Sequence, residues 1–214
     1  MSKARRYITA TVLLLILFVS GCSKYAPTPE VQKRKIIEFT INTAANISSN
    51  YYYYIAFETN ETLSSEGPLP YLYGVERAKN WTYYIRLYNG YFSEKTIASD
   101  ADKDDDPTLF NSESSRYFQA YYSGSTIHIS VYLDKLTTVD TIAFNIISSE
   151  VPLTPTDTYI PALDYFIQPK VTISTTAGAY AYSSLYTLSS SHTVSDTTKK
   201  AADITSWTAE VYEK

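Results

Sequence analysis

The sequence predicts an all-β fold: a single antiparallel β-sandwich domain, immunoglobulin-like or jelly-roll-like, following a cleaved signal peptide. Short apolar segments alternate with turn residues, and no long amphipathic helix separates them, as is typical of sandwiches. The composition agrees, because the 214 residues include 22 Tyr and only 6 Gly, and aromatic residues favour strands. The clearest alternation is TIHISVYL at 126–133, where one face carries Ile127, Ile129, Val131 and Leu133.

Eight segments are predicted to be strands, and a ninth is a further candidate. The eight are 36–42, 51–58, 81–88, 116–122, 126–133, 141–147, 170–175 and 205–212, and the candidate is 180–188. Residues 123–125, Ser-Gly-Ser, predict a hairpin turn between two of them. A short helix is expected over 195–204, with Ser195 or Asp196 as its N-cap. Proline-rich stretches at 68–70 and 152–169 are expected to be long connections.

Two aromatic strands are expected to present different faces to the core and to solvent, because side chains alternate along a strand. The expected core residues are Tyr51, Tyr53, Ile55, Phe57, Trp81, Tyr83, Ile85 and Leu87. The opposite faces contain Glu58 and Arg86, and charge there predicts the outer face. The predicted ligand-binding tyrosines on that face are Tyr52, Tyr54, Tyr84 and Tyr88.

These four tyrosines have two interpretations. Exposed tyrosine rings can stack on sugar rings and hydrogen-bond their hydroxyl groups. Alternatively, the tyrosines pair across strands and stabilise the sheet by roughly 0.2–1 kcal/mol per pair. Cross-strand pairing is the favoured interpretation, and ligand binding is kept as the alternative.

An acidic segment, DADKDDDP at 100–107, is a candidate calcium site. Its expected ligands are Asp100, Asp102, Asp104 and Asp106, since calcium takes 6–8 oxygen ligands and carboxylates supply them. The segment departs from the EF-hand pattern, with Asp105 where that loop has Gly and Asn111 where it has Glu. A solvated acidic loop is therefore the favoured interpretation, and calcium is the one cofactor kept as a candidate.

The sequence contains no pattern typical of a catalytic site. Neither G-x-S-x-G nor H-E-x-x-H occurs, and the two histidines, His128 and His192, lie in a strand and in a Ser/Thr-rich stretch. We therefore predict that the protein is not an enzyme. An extracytoplasmic hydrolase assembled from residues distant in sequence is the remaining alternative.

The N-terminal 23 residues have the layout of a secretory signal peptide. Lys3, Arg5 and Arg6 precede an apolar run at 12–19, which is shorter than the ~20 residues of a membrane-spanning helix. The run ends in Val-Ser-Gly-Cys, which resembles the bacterial lipobox. This resemblance implies cleavage by signal peptidase II between Gly21 and Cys22. It also implies a diacylglycerol on the Cys22 thiol and a further fatty acyl chain, such as palmitate, on its amino group.

The mature chain would be an acidic domain on a short tether. Losing three basic residues from 18 leaves 15 against 22 acidic ones, a net charge of −7, which argues against nucleic acid as a partner. Cys22 is the only cysteine, so disulfides within the domain are excluded. Residues 22–35 are the expected lipidated N-terminus and tether, and 36–214 the domain. The lipobox implies a bacterial envelope location outside the cytoplasm, on the outer membrane in a diderm host.

Three segments of the domain are similar to DOMON-like and family-9-type carbohydrate-binding β-sandwiches over about residues 50–166. They are YYYYIAFETNETLSSEGPLP, FQAYYSGSTIHISVYLDKL and VDTIAFNIISSE, with Asp164-Tyr165 following. The resemblance implies the sandwich fold and a sugar clamped between paired aromatic side chains. Trp81, the only tryptophan in the region, falls on the expected core face and so departs from that clamp.

These features predict a lipid-anchored lipoprotein with a non-catalytic binding module, whose partners are the membrane and a glycan or an envelope protein. Carbohydrate is the ligand class that the resemblance implies. The alternative is a structural envelope lipoprotein that acts through protein–protein contacts, for example at sheet edges.

Overall fold

Fourteen strands and two short helical segments make up the secondary structure in the described part of the chain. The computed structural model describes residues 33–70, 78–96, 108–110, 118–150, 162–165, 171–182 and 197–214. The strands are β1 Lys35–Thr43, β2 Tyr51–Glu58, β3 Leu69–Pro70, β4 Ala78–Lys79, β5 Tyr83–Tyr88, β6 Tyr91–Thr96, β7 Thr108–Phe110, β8 Phe118–Ser123, β9 Thr126–Tyr132, β10 Thr141–Glu150, β11 Ala162–Asp164, β12 Val171–Ser174, β13 Tyr180–Tyr182 and β14 Ile204–Glu213. Helix α1 spans Leu133–Leu136, and a 3-10 helix spans Thr197–Ala202.

Two antiparallel sheets pack face to face, and the predicted all-β sandwich is confirmed. The first sheet has the strand order β13-β14-β1-β9-β8. The second sheet has the order β11-β10-β2-β5-β6-β7, and β12 also pairs with β10, alongside β11. Strands β3 and β4 form a separate two-stranded ribbon. Some neighbouring strands are consecutive in sequence, such as β5 and β6 or β8 and β9. Others are joined by longer connections, since β1 lies between β9 and β14.

The core lies between the two sheets and consists of inward-facing alternate side chains from strands of both sheets. Phe39 of β1 is fully buried at its centre. Its ring centroid lies 5.7 Å from that of Phe57 and 5.1 Å from that of Phe144, both in edge-to-face geometry. Trp207 of β14 reaches the same Phe144 ring at 5.4 Å. Close packing of this kind makes apolar burial the main source of stability in a fold without disulfides.

The predicted hairpin and the alternation along 126–133 are confirmed. Ser123 pairs with Thr126, and Gly124 between them has φ +58°, a conformation that glycine adopts without steric cost. The side chains at 127, 129 and 131 are buried, whereas those at 128, 130 and 132 are half-buried. Leu133 is also buried, although it begins α1 instead of ending the strand.

Other boundaries differ from the predictions. The helix predicted over 195–204 corresponds to the 3-10 helix Thr197–Ala202. It ends earlier than predicted because Ile204 already belongs to β14. The predicted N-cap residues, Ser195 and Asp196, lie outside the described residues. Five short strands were not predicted, namely β3, β4, β6, β7 and β11. The compact unit begins at Arg34, whose backbone exchanges two hydrogen bonds with that of Lys214, at 2.9 and 3.0 Å. No helix in the described ranges is long and apolar enough to cross a membrane.

Candidate functional site

A cluster of aromatic side chains covers the outer face of the second sheet. We define the tyrosine cluster as Tyr52, Tyr54, Trp81, Tyr84 and Tyr88. The ring centroids of Tyr52 and Tyr88 are 4.7 Å apart, and Tyr54 lies 5.5–5.8 Å from Tyr52, Trp81 and Tyr84. Most of these contacts are edge-to-face, the geometry that aromatic pairs prefer.

The connection between β2 and β5 packs over part of this cluster. The indole Nε1–H of Trp81 donates to the Leu69 carbonyl oxygen at 3.0 Å, and the Asn145 side-chain amide donates to the Pro68 carbonyl at 2.7 Å. At the start of the connection, the Glu58 carboxylate accepts hydrogen bonds from the backbone and hydroxyl of Ser64. The cluster is therefore largely an interior between the sheet and its own connecting segment.

The expectation that four outward tyrosines are exposed is wrong for two of them and only partly right for the others. Tyr52 and Tyr84 are buried, at 9% and 7% exposure, and Tyr54 and Tyr88 are half-buried. The physical reason is packing by neighbouring side chains, with Tyr88 and Arg86 against Tyr52 and Trp81 against Tyr84. Alternation within a strand does not encode these contacts, nor the connection that Trp81 holds over the sheet. Burial raises the pKa of the Tyr54 hydroxyl above its ordinary range, and the nearby Arg86 guanidinium partly opposes this.

Trp81 also lies on the other side of the sheet from its predicted place. It packs with Tyr54 and Tyr84, whereas its predicted face-mate Tyr83 belongs to the core between the sheets. The alternation fails because β5 begins only at Tyr83, and Asn80 turns the chain just before with φ +62°. Trp81 thus joins the aromatic residues that the prediction separated it from.

Arg86 is buried among the tyrosines, at 8% exposure. Its guanidinium carbon lies 4.8 Å from the ring centroid of Tyr52, within the range of a cation–π interaction. Arg86 also faces Tyr54 across the strands β2 and β5. A cation in this position holds the tyrosine cluster together and is not presented to solvent.

An open concavity lies at one end of the sandwich, and we call it the loop-end cleft. Its volume is about 260 Å³. It forms where the β1–β2 loop, the β5–β6 turn and the end of β8 meet. The residues that line it are Ile47, Ser48, Ser49, Tyr53, Leu87, Tyr88, Asn89, Gly90 and Tyr122.

Hydrogen bonds hold the loop wall of this cleft in place. The Tyr53 hydroxyl accepts from the Ser48 backbone N–H and donates to the Ala201 carbonyl, both at 3.1 Å. Burial raises the pKa of Tyr53 to about 12, so the hydroxyl keeps the proton that this arrangement requires. The Ile47 backbone N–H donates to the Gly124 carbonyl at 2.9 Å. The cleft is thus largely preformed, as ligand sites usually are.

The opposite wall is a tight turn facing an aromatic ring. Tyr88 pairs with Tyr91, and the two residues between them, Asn89 and Gly90, have φ +49° and +81°, as a type I′ turn requires. A Cβ added to Gly90 would lie 3.4 Å from the Tyr122 hydroxyl oxygen. A methyl group at Gly90 would contact that hydroxyl and occupy part of the cleft.

Tyr121 and Tyr122 are adjacent on β8 and point to opposite sides. Tyr122 is 39% exposed and lines the cleft, with Phe92 behind it at 6.4 Å. Tyr121 is 62% exposed and stacks on His128 on the outer face of the first sheet, with centroids 4.6 Å apart. His128 in turn lies 3.3 Å from the Thr40 hydroxyl through Nδ1, so this predicted strand histidine is part of the sheet surface.

A buried carboxyl group lies at the same end of the fold, behind the 3-10 helix. Asp164 is 1% exposed, and its Oδ2 accepts a hydrogen bond from the Ile204 backbone N–H at 2.8 Å. Burial raises the pKa of Asp164 to about 7, and the charge of Asp203 adds to the increase. Asp203 itself pairs with the Lys200 ammonium at 3.3 Å. This group is a structural and titratable element of the β11–β14 junction.

Several predicted site residues lie outside the described residues, and their predictions stay untested by the structure. They are Gly21, Cys22, Asp100, Asp102, Asp104 and Asp106. His192, which was not predicted to belong to a site, also lies outside the described residues. Over the ranges that are described, no three His, Cys, Asp or Glu side chains converge as they would around a metal ion.

Comparison with known proteins identifies no relative: no protein-family model, curated protein or solved structure matches the chain. Of the predicted ligand-binding residues, only Tyr88 lines the loop-end cleft. The Asn-Gly pair at 89–90, a typical signal of a two-residue hairpin turn, is the sequence feature that could have indicated this wall.

Proposed function

We propose that the protein is a lipid-anchored, extracytoplasmic lipoprotein whose β-sandwich binds carbohydrate without catalysing a reaction. The observation that carries the binding proposal is the loop-end cleft, in which Tyr88 and Tyr122 stand beside Ser48, Ser49 and Asn89. Aromatic rings offer flat apolar faces to the C–H groups of a sugar, and hydroxyl and amide side chains hydrogen-bond its hydroxyl groups. Loops at the end of a sandwich are also a common place for binding residues.

The lining of the cleft supports binding in preference to catalysis. Glycoside hydrolysis generally needs two carboxyl groups flanking the scissile bond, and the described residues that line the cleft include neither carboxyl nor imidazole side chains. The buried carboxyl groups of Glu58, Glu94 and Asp164 instead accept hydrogen bonds from neighbouring parts of the fold. Their contacts are those of structural residues.

We expect the full chain, in detergent micelles, to bind a subset of an immobilised glycan library. Binding should be weak for a single site of this size, with Kd values of about 10 μM to 1 mM. Free glycan should compete and should change the tyrosine fluorescence. A library containing neutral, acidic and amino glycans that gives no competable binding would contradict the carbohydrate proposal.

The anchor is tested separately at Cys22. We expect the wild-type chain to carry the mass of a diacylglycerol and a further acyl chain and to sediment with membranes, because two or more chains give stable anchoring. Cys22→Ser should lose the added acyl mass and keep the mass of residues 1–21, because the lipobox cysteine is also required for cleavage. A wild-type protein without acyl mass when expressed in a bacterium that processes lipoproteins would contradict the anchor while leaving the binding proposal intact.

A second candidate function is protein–protein contact through the outer face of the first sheet. Tyr121 and Tyr180 are 62% and 54% exposed there, and exposed aromatic residues are enriched at protein interfaces. Polar side chains also lie on this face, among them Thr40 and His128, which are opposite each other on β1 and β9. This surface fits the alternative of a structural lipoprotein. In that case the protein would bind an envelope protein and would not bind glycans.

A further inference from the structure

We infer that the loop-end cleft accepts one uncharged sugar ring at the end of a glycan and rejects acidic and amino sugars. This inference rests on the proposed carbohydrate function and adds its specificity. Three properties of the cleft support it: the charge of its lining, its size, and the placement of its polar groups.

The charge of the lining points to a neutral ligand. None of the described residues that line the cleft carries a formal charge. A carboxylate or ammonium group held there would lose water without gaining a counter-ion, which is costly. Without residues 1–21 the chain has a net charge of −7, so its long-range field also repels anionic glycans, whereas the rejection of amino sugars rests on the desolvation cost. A sugar with hydroxyl or acetamido substituents meets neither obstacle.

The size of the cleft points to a single ring. Pockets for drug-sized ligands typically enclose about 300–1,000 Å³, and the loop-end cleft, at about 260 Å³, is smaller than that range. Its floor is closed by Tyr53 and Leu87, which are 5% and 2% exposed. The cleft therefore holds one ring, and a glycan would insert its terminal sugar.

The polar groups of the cleft lie on its rim and can hydrogen-bond the ring hydroxyls. Ser48 Oγ accepts from the Asn50 backbone N–H at 3.2 Å, which leaves the hydroxyl proton for a ligand oxygen. Ser49 and Asn89 are exposed on either side, and the Asn89 amide both donates and accepts hydrogen bonds. Tyr53 already uses its hydroxyl within the fold, so it shapes the floor and does not select the ligand.

The adjacent tyrosines of β8 give a matched pair of variants. Tyr122→Ala removes a ring that lines the cleft and should weaken glycan binding about tenfold, because stacking and burial of the ring face are both lost. Tyr121→Ala removes a more exposed ring from the opposite side of the same strand and should leave binding unchanged. Thermal unfolding of both variants checks that each one folds.

A second pair of variants separates narrowing of the cleft from backbone strain, and neither variant removes an aromatic ring. Gly90 and Gly178 both have positive φ, at +81° and +90°, but a Cβ at Gly90 approaches the Tyr122 hydroxyl, whereas one at Gly178 meets nothing within 4 Å. Gly90→Ala and Gly178→Ala should both lower the melting temperature by a few degrees through backbone strain. Only Gly90→Ala should also weaken glycan binding.

The ligand specificity is measured with one glycan backbone ending in a neutral hexose, a uronic acid or a hexosamine with a free amine. We expect the neutral terminus to bind at least tenfold more tightly than either charged terminus. Equal or tighter binding of a charged terminus, or of internal chain units over the terminus, would overturn this inference while the carbohydrate proposal stands. Binding that depends on Tyr121 and not on Tyr122 would overturn the site. Absence of binding to every glycan overturns the proposed function itself.

Discussion

Replacing Trp81 with alanine is expected to lower the free energy of unfolding by about 3–5 kcal/mol, the usual cost of deleting a large buried aromatic side chain. Trp81 is 7% exposed and contacts the rings of both Tyr54 and Tyr84. It also donates the hydrogen bond that holds the Leu69 carbonyl over the sheet. Its loss leaves a cavity at the centre of the tyrosine cluster and loosens the connection above it. Urea unfolding of the full chain in detergent, followed by circular dichroism, measures the change.

Trp81→Phe is the matched control for this substitution. This variant keeps an aromatic ring but removes the indole N–H. The lost hydrogen bond should lower the free energy of unfolding by ~1 kcal/mol, and the smaller ring should add a packing loss below that of alanine. Neither variant should change glycan affinity at temperatures where the protein is folded, because Trp81 does not line the loop-end cleft. The structural role of the cluster would be refuted if Trp81→Ala abolished glycan binding and left the unfolding free energy unchanged.

The division of the four consecutive tyrosines between two faces could be predicted from the sequence, since successive side chains on a strand point to opposite sides. Tyr51 and Tyr53 do belong to the core between the sheets, and Tyr52 and Tyr54 to the other face. The alternating strand β9 and its hairpin with β8 were predictable for the same reason. This alternation depends only on the backbone of the strand, so it does not change with what packs against the sheet.

What covers the second sheet could not be predicted in this way. The charged residues Glu58 and Arg86 indicated an outer face in water, yet both are buried, at 2% and 8% exposure. The reason is that Ser64 hydrogen-bonds the Glu58 carboxylate, and the ring of Tyr52 lies under the Arg86 guanidinium. A charge marks an exposed face only when no partner within the fold satisfies it, and such pairing leaves no periodic signal in the sequence.

The loop-end cleft was equally hidden, because three separate segments of the chain build it. Ser48, Asn89 and Tyr122 are distant in sequence, and they converge only when β1, β5 and β8 take their places in two different sheets. Tyr88 is the one predicted ligand-binding residue that lines the cleft. Alternation along a strand assigns aromatic residues to faces, whereas the cleft takes one aromatic residue from a strand end and another from the edge of the opposite sheet.

Asp164→Asn is expected to change how stability depends on pH. The pKa of Asp164 in the folded protein is about 7, raised from 3.8 by burial and by Asp203. Between these values the folded chain holds a proton that the unfolded chain has released. The wild type therefore loses stability from this group as the pH rises from about 4 to 7, by at most ~4 kcal/mol, and the loss is complete above pH 7. Asparagine removes that loss and can still accept the Ile204 hydrogen bond.

The informative quantity is the unfolding free energy of Asp164→Asn minus that of the wild type, because the other carboxyl groups cancel in the difference. This difference in unfolding free energy should increase by about 2–4 kcal/mol from pH 4 to pH 8, in favour of the variant. Asp134→Asn is the control substitution, since Asp134 is an exposed carboxyl beside Lys135. The unfolding free energy of Asp203→Asn should depend on pH less steeply than that of the wild type, since this variant keeps Asp164 but lacks the charge that opposes its ionisation. A flat difference for Asp164→Asn would show that the carboxyl is ionised in the folded protein throughout this range, and that burial at the β11–β14 junction leaves its charge adequately solvated.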